Sequence, residues 1–335
     1  MNARSRKPTA AQAARILCAL LFAGVTAPLA AQEFTAFMGV NTATNFTEPT
    51  YAWKIEYRQG LGEPLAFSYA WLNEGHFEGH HRDGHTASLW WRFNLADRRL
   101  SLAFGGGAMR YYDTQDATDS TSYTNVHGWA GITSFDAAYY FRSRWIIRYE
   151  MNRTWAGTST IDTWDFLLGV GYQLQAPAKP GPRDWPEQQP NPTTQNELTA
   201  YVGRTILNSF NSQEAVAGQI EYRRGLSRYI DVSASVIYEG APVDNSRGGI
   251  LLELWAGRTF FNDKFELTLG AGPYFAFAGG GSDSTSGSGV LGMITPSFSY
   301  RFGSHWDARF SWNRTFTNFD KDTDIYMLGV GYRFP

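Results

Sequence analysis

The stretch that decides the fold is Leu168-Gly-Val-Gly-Tyr-Gln-Leu174, which returns almost unchanged as Leu328-Gly-Val-Gly-Tyr-Arg-Phe334 near the end of the chain. In both stretches every second residue is apolar or aromatic, while Gly, Gln or Arg fills the alternate positions. Because the side chains of a β-strand point alternately to its two faces, this pattern predicts a strand with one apolar face. A closing strand used twice predicts an architecture that is built twice.

Other stretches repeat at nearly the same spacing. Ile55-Glu-Tyr-Arg-Gln-Gly-Leu61 returns 165 residues later as Ile220-Glu-Tyr-Arg-Arg-Gly-Leu226, and Asn152-Arg-Thr154 returns 161 residues later as Asn313-Arg-Thr315. The spacing changes within polar stretches, where insertions are expected to fall in loops. The chain is therefore predicted to be an internal duplication.

The N-terminus predicts export. Basic residues precede an apolar run from Ile16 to Leu29, and Ala30-Ala31-Gln32 follows it, which is the pattern of a signal peptide cleaved after Ala31. Because the one cysteine, Cys18, lies in this segment, the mature chain is expected to contain none. The predicted organisation is a signal peptide (1–31), a first repeat (32–174), a proline-rich linker (175–196) and a second repeat (197–335).

Charge and composition narrow the class of protein. The chain has 29 Lys and Arg, four of them within residues 1–31, against 31 Asp and Glu, so the mature chain carries a formal charge of −6. This acidic balance argues against a nucleic-acid partner. After the signal, no apolar run approaches the ~20 residues of a membrane-spanning helix, yet the chain holds 12 Trp, 18 Tyr and 23 Phe. These features predict a transmembrane β-barrel.

Turn signals divide each repeat into eight strand-like segments with alternating apolar and polar residues. Short connections alternate with longer polar ones, as in outer-membrane barrels whose short turns face the periplasm. A soluble lipocalin-like barrel, with its apolar face inside, is the alternative, but the aromatic residues and the unequal connections favour the membrane. The segments in the first repeat are 34–44, 52–60, 65–73, 86–95, 99–112, 129–141, 145–156 and 163–174.

The predicted fold class is all-β: a transmembrane, antiparallel up-and-down β-barrel. Each repeat holds enough strands to close on itself, and the linker of about twenty residues is far longer than neighbouring strands need. Two tandem eight-stranded barrels are therefore favoured. One sixteen-stranded barrel that forms a porin-like channel is the alternative, because duplicated hairpins could also widen a single barrel.

Polar residues at the alternate strand positions predict an ion network inside the barrels. Small residues and opposite charges suit a narrow lumen, where ions pair with each other and avoid lipid. Such a network could gate a small channel, although charges that only fill the lumen and set the strand register are the favoured interpretation. The predicted network comprises Glu56, Arg58, Arg148, Glu150, Glu221, Arg223 and Arg309.

A histidine-rich stretch, Glu74 to His85, is predicted to be a long outer loop of the first repeat. Imidazole and carboxylate groups in one loop could bind zinc, copper or nickel, although a solvated polar loop without a metal role is the commoner case. No other cofactor is predicted, and any divalent metal here is expected to bind weakly. The candidate ligands are His76, His80, His81, His85 and Asp83.

The closing strands, Gly169-Val-Gly-Tyr172 and Gly329-Val-Gly-Tyr-Arg-Phe334, follow strands that contain Arg148 to Arg153 and Arg309 to Arg314. In these residues the chain resembles the eight-stranded bacterial outer-membrane β-barrels, the OmpA-like and OmpW-like small barrels. The resemblance implies a closing strand that is read by the outer-membrane insertion machinery. It also implies contact with outer-membrane lipid and lipopolysaccharide, and it does not specify an activity.

An enzyme is the last alternative. Outer-membrane lipid A deacylases have barrels of this size with a His-x-Ser pair on the penultimate strand, which places a nucleophile beside its base. The matching positions here are Glu150-Met-Asn152 and Ser311-Trp-Asn313, and neither contains histidine. The predicted function is therefore non-catalytic, with a structural or surface-interaction role in the bacterial outer membrane.

Overall fold

The structure is a computed structural model, in which sixteen β-strands form two closed barrels. The predicted signal peptide (1–31) and most of the predicted linker (175–196) lie outside the described residues. The structure describes residues 32–116, 123–157, 161–174, 180–182, 195–209, 211–226, 229–242, 246–279, 289–317 and 321–335.

The first barrel joins eight consecutive antiparallel strands. Each strand pairs with its neighbours in the sequence, and the eighth returns to the first with Val170 opposite Ala36. The strands are β1 (Gln32–Ala43), β2 (Thr50–Gly60), β3 (Leu65–Phe77), β4 (His80–Leu95), β5 (Leu100–Asp116), β6 (Tyr123–Tyr140), β7 (Trp145–Ala156) and β8 (Thr163–Gln173).

The second barrel repeats this order. Its last strand closes on its first with Val330 opposite Ala200, the repeat equivalents of the pair that closes the first barrel. The strands are β9 (Asn196–Leu207), β10 (Glu214–Gly225), β11 (Ile230–Gly240), β12 (Ser246–Phe260), β13 (Phe265–Gly279), β14 (Gly289–Phe302), β15 (Trp306–Phe316) and β16 (Thr323–Phe334).

The predicted fold class is confirmed: the described chain is all-β, with antiparallel up-and-down strands that close after every eighth strand. The sixteen-stranded alternative is wrong, because β8 pairs with β1 and β16 pairs with β9. We call the lower end of each barrel the end where β2 joins β3, β4 joins β5 and β6 joins β7, with the equivalent joins β10 to β11, β12 to β13 and β14 to β15 in the second barrel, and we call the opposite end the upper end.

The two faces of each strand differ in chemistry. Large apolar side chains on the outside are exposed, among them Phe104 at 59% and Leu328 at 66%. Side chains on the inside are mainly polar or charged and are buried. This is the reverse of a lipocalin-like barrel, and it is the arrangement of a barrel that faces lipid. Among the described residues, no helix is long and apolar enough to cross a bilayer.

The prediction of a long loop between Glu74 and His85 is wrong. β3 continues to Phe77, β4 begins at His80, and only two residues turn between them. The pairing slips by a β-bulge between Asn73 and His76, where Gly75 has a φ of +77°. Residues other than glycine rarely adopt this backbone conformation, so glycine suits the position. The second barrel has the same bulge in β11, with Gly240 at a φ of +73°.

The two barrels lie side by side with their upper ends together. At the upper ends, His127 Nε2 of β6 lies 2.5 Å from Asp322 Oδ2, just before β16. At the lower ends, the Arg144 guanidinium lies 5.7 Å from the centre of the Phe261 ring. Because like ends meet, the apolar outer bands of both barrels can lie in one bilayer.

Candidate functional site

The interior of the first barrel contains a buried ion network centred on Arg148. Its Nη2 lies 2.8 Å from Asp136 Oδ1, and its Nη1 lies 3.3 Å from Glu56 Oε1 and 3.6 Å from Glu33 Oε2. All four side chains are at most 3% exposed. Since an unpaired buried charge is costly, these groups depend on each other.

A second arginine in this network spans the lumen. Arg58 of β2 lies 3.3 Å from Asp136 of β6, and these strands are four places apart in a ring of eight, on opposite walls. Its guanidinium also stacks 3.8 Å from the Trp90 ring, while Trp90 Nε1 donates to Ser68 Oγ at 2.8 Å. The barrel is therefore bridged from wall to wall at this level.

Nearer the upper end, Arg82 forms another bridge across the lumen. It pairs with Glu74, and its Nη2 donates to Thr163 Oγ1 of β8 at 3.1 Å. Its Nη1 donates to the Ile161 carbonyl oxygen at 2.5 Å. Because β4 and β8 also stand on opposite walls, side chains cross the first barrel at two levels.

The second barrel repeats the upper bridge. Arg247 of β12 donates to both carboxylate oxygens of Glu239 at 2.6 Å and to Thr323 Oγ1 of β16 at 2.8 Å. Its Nη1 donates to the Lys321 carbonyl oxygen at 3.0 Å. The sequence interpretation missed these four-residue bridges, although the repeated Glu-Gly pairs and the 165-residue spacing between Arg82 and Arg247 were a usable signal.

The deeper network of the second barrel keeps some members and replaces others. Arg223 pairs with Glu221 at 3.0 Å and stacks 3.6 Å from the Trp255 ring, as Arg58 does on Trp90. Arg309, the repeat equivalent of Arg148, lies 2.8 Å from Glu197 and 3.4 Å from Glu266. The seven side chains predicted for the interior, Glu56, Arg58, Arg148, Glu150, Glu221, Arg223 and Arg309, all lie inside the barrels at no more than 2% exposure.

The predicted metal ligands are spread over both faces of the β3–β4 hairpin. His80 points into the lumen, where its Nδ1 lies 3.1 Å from Asp113 Oδ2. His85 lies on the outer face, with its Nδ1 2.5 Å from the Tyr69 hydroxyl. Asp83, on the same outer face as His85, contacts the second barrel.

Two of the histidines do meet. The rings of His76 and His81, directly opposite each other on β3 and β4, stack with centroids 4.1 Å apart. Asn73 accepts a hydrogen bond from the Gly75 amide through its Oδ1, so its Nδ2 donates to His81 Nε2 at 3.0 Å and occupies that lone pair. Within the described ranges, no group of three or more His, Cys, Asp or Glu side chains is placed to hold a metal ion. Weak metal binding by these histidines stays a prediction.

The barrels contact each other near their upper ends through a polar surface that we call the seam. Its centre is Arg314, which occupies an outward position on β15 and is yet only 2% exposed. Arg314 lies 2.7 Å from Asp324 of its own barrel and 3.7 Å from Asp83 of the first barrel. Its guanidinium stacks 4.5 Å from the Tyr112 ring. The seam comprises Trp71, Asp83 and Tyr112 of the first barrel and Trp312, Arg314 and Asp324 of the second.

The repeat shows how the seam differs from a lipid-facing surface. The positions of Trp71, Asp83 and Tyr112 in the first barrel correspond to Val236, Gly248 and Phe277 in the second. Val236 and Phe277 are 65% and 59% exposed, whereas Trp71 and Tyr112 are 5% and 2% exposed. At these three positions the covered wall of the first barrel carries side chains with polar atoms, whereas the open wall of the second barrel carries none.

The residues at the deacylase-like positions face the wrong way to meet a lipid. Glu150 and Asn152 of β7, and Ser311 and Asn313 of β15, point into the lumens and are at most 3% exposed. An acyl chain in the bilayer lies outside the barrel wall, beyond the reach of these four side chains.

The chain is similar to several solved barrels. The N-terminal β-barrel domain of Pseudomonas aeruginosa OprF matches at 12% identity over 43% of this chain and 98% of that chain, with a TM-score of 0.34. Neisserial surface protein A matches at 10% identity over 42% and 95%, with a TM-score of 0.35. Ail, the attachment invasion locus protein of Yersinia pestis, matches at 12% identity over 44% and 99%, with a TM-score of 0.30.

At such low identity the likeness to these solved barrels concerns the fold alone. The prediction of closed eight-stranded barrels is confirmed by the strand pairing of the chain itself. No protein-family model matches the chain, and no curated protein sequence matches it either.

Proposed function

We propose that this chain is a non-catalytic integral protein of the bacterial outer membrane. Its two barrels, whose lumens are blocked by charged side chains, hold the connections at their upper ends in place, and these connections serve a structural or surface-interaction role. The observation that carries the proposal is the pairing of an open apolar exterior with charged side chains that bridge both lumens. An apolar exterior suits lipid, and a bridged lumen does not suit solute passage.

The localisation follows from the same features. The apolar band would contact outer-membrane lipid and lipopolysaccharide, and the closing strand β16 would be the segment that the insertion machinery reads. The short turns at the lower ends would face the periplasm, as in other barrels of this architecture. A chain exported through residues 1–31 would meet this membrane after crossing the inner one.

Conductance measurement tests the blocked-barrel proposal. Purified full-length protein in planar lipid bilayers is expected to give no large, stable openings, because Arg58 and Arg82 bridge opposite walls of the first barrel and Arg247 bridges those of the second. The variant Arg58→Ala/Arg82→Ala, which removes both bridges from one barrel, is expected to open more often than the wild type. Large, steady openings of the wild-type protein would overturn the proposal.

The absence of catalysis is proposed on the orientation of the deacylase-like positions, which face the lumens. Mass spectrometry of lipid A from cells with and without the protein is expected to show the same acyl chains. A lipid A species that loses or gains an acyl chain only when the protein is present would show that the chain is an enzyme.

A further inference from the structure

The outer wall of the first barrel carries a row of tryptophans and arginines toward its upper end. Three tryptophans, Trp129, Trp155 and Trp164, lie on β6, β7 and β8 and are 60%, 43% and 39% exposed. Arg110 of β5 lies directly opposite Trp129, and Arg153 of β7 lies directly opposite Trp164. We call these five residues the arginine–tryptophan row.

The row follows the tilt of the strands. Arg110 is opposite Trp129 on β6, Trp155 of β7 is opposite the residue two places below Trp129, and Arg153 lies two places below Trp155. The steps to β7 and β8 thus each move two residues toward the lower end, which makes four residues over the three steps from β5. Directly opposite pairs followed once around the barrel from Glu33 return to β1 at Ala43, ten residues nearer the upper end, so a path at one level must descend by slightly more than one residue per strand. The row therefore runs around the wall at about one level, as an interfacial belt does.

Both guanidinium groups lie over indole rings. Arg110 Cζ is 5.7 Å from the Trp129 ring centre, and Arg153 Cζ is 5.8 Å and 5.3 Å from those of Trp155 and Trp164. Cation–π contact of this kind holds an arginine against an apolar wall while leaving its donors available.

The two arginines differ in their capacity to bind an anion. Within the described ranges, no carboxylate forms an ion pair with Arg110, whereas the Arg153 side chain is only 13% exposed and its Nη1, which has no hydrogen-bond partner, is buried. Arg153 Nη2 pairs at 3.2 Å with Asp162, a carboxylate that is 37% exposed. A phosphate is the anion whose geometry best fits forked guanidinium donors.

The second barrel does not offer this surface. The positions of Arg110 and Trp129 are occupied there by Phe275 and Val290, both exposed and apolar. The equivalent of Arg153 is Arg314, which is buried in the seam. The row is thus a property of one barrel and not of the repeat.

We propose that the arginine–tryptophan row binds the phosphate groups of an outer-leaflet glycolipid, lipopolysaccharide. The tryptophans pack against the acyl–headgroup boundary, and the two arginines donate to phosphate. The choice of the outer leaflet rests on the proposed function, because the row lies in the upper half of a barrel whose upper end is assigned to the cell surface.

The test titrates full-length protein in detergent micelles with purified lipid A, dephosphorylated lipid A and phosphatidylglycerol, and counts bound lipid by native mass spectrometry. The variant Arg110→Gln/Arg153→Gln is expected to lower the affinity for lipid A roughly tenfold or more, because it removes charge-assisted hydrogen bonds to phosphate. The matched control is Arg204→Gln, which changes an outward arginine of the second barrel whose side chain is 69% exposed and pairs with Glu214. The control is expected to bind lipid A like the wild type.

Three results would overturn the proposal: wild-type affinity in the double variant, equal binding of dephosphorylated lipid A, or phosphatidylglycerol binding that matches lipid A and is lost in the variant. The last result would assign the row to a phospholipid. Heat-modifiable migration and membrane fractionation of each variant report separately on the proposed function. A protein that is absent from the outer membrane would refute that function whatever the lipid titration shows.

Discussion

Replacing Arg148 with leucine is expected to destabilise the first barrel by about 3–5 kcal/mol, the usual cost of removing one partner from a buried ion pair. Arg148 is the shared partner of Asp136, Glu56 and Glu33, all of which stay buried when it is lost. Arg58, 2.8 Å from Glu56 and 3.3 Å from Asp136, and Lys54, 2.7 Å from Glu56, compensate only part of this charge. Urea unfolding of the protein in lipid vesicles, followed by tryptophan fluorescence, measures the change.

Two variants control this experiment. Arg148→Leu/Glu33→Gln removes one of the stranded carboxylates and is expected to recover part of the lost stability. Arg309→Leu, at the repeat equivalent, is expected to destabilise the second barrel by a similar amount, since Arg309 holds Glu197 and Glu266. A loss below about 1 kcal/mol for Arg148→Leu would mean that water screens these charges as it does at a surface. The lumen would then be open to water and not bridged by paired charges.

Replacing Arg314 with leucine is expected to weaken the contact between the barrels, again by about 3–5 kcal/mol. The substitution leaves Asp324 and Asp83 in the seam without their shared cation, and it removes the stacking on Tyr112. With a protease site engineered into the linker of the full chain, cleaved wild-type barrels are expected to copurify in mild detergent. Cleaved Arg314→Leu barrels are expected to separate.

The repeat supplies a matched control for the seam. Arg153→Leu changes the equivalent arginine on the open wall of the first barrel, where its partner Asp162 is partly exposed. A pair of this kind contributes about 0–1 kcal/mol, so cleaved Arg153→Leu barrels should stay together. If the cleaved barrels separate equally in both variants, the seam holds no specific contact. If they copurify in both variants, Arg314 is not needed to hold the two barrels together.

Much of the fold could be predicted from the sequence, because lipid imposes a strict pattern on an open barrel wall. β7 and β8, where apolar residues alternate with Arg148, Glu150 and Asn152, were predicted within one residue of their bounds. The pattern failed in β3 and β4 beyond Asn73. There His80 and Arg82 face the lumen while Asp83 and His85 face the seam, so both faces are polar and the strands looked like a loop.

The candidate site was only partly predictable. Alternation identifies Arg148 and Arg309 as interior residues, but partners depend on strand register across the lumen, which spacing along the chain does not determine. For this reason Glu33, Asp136 and Glu266 were not assigned to the network. The seam was missed because Arg314 points outward and gains its buried partners only when the other barrel covers it. Packing between two barrels does not produce a periodic pattern of apolar and polar residues in the sequence.

Disulfide trapping of the closing strands tests the central claim, that each repeat closes on itself. The pairs Ala36→Cys/Val170→Cys and Ala200→Cys/Val330→Cys join residues that lie opposite each other where the two barrels close. Both pairs are predicted to cross-link in the membrane-embedded full chain, whereas Val170→Cys/Ala200→Cys, which would bring β8 beside β9, is predicted not to. A cross-link between positions 170 and 200, with none between 36 and 170, would contradict the two-barrel structure.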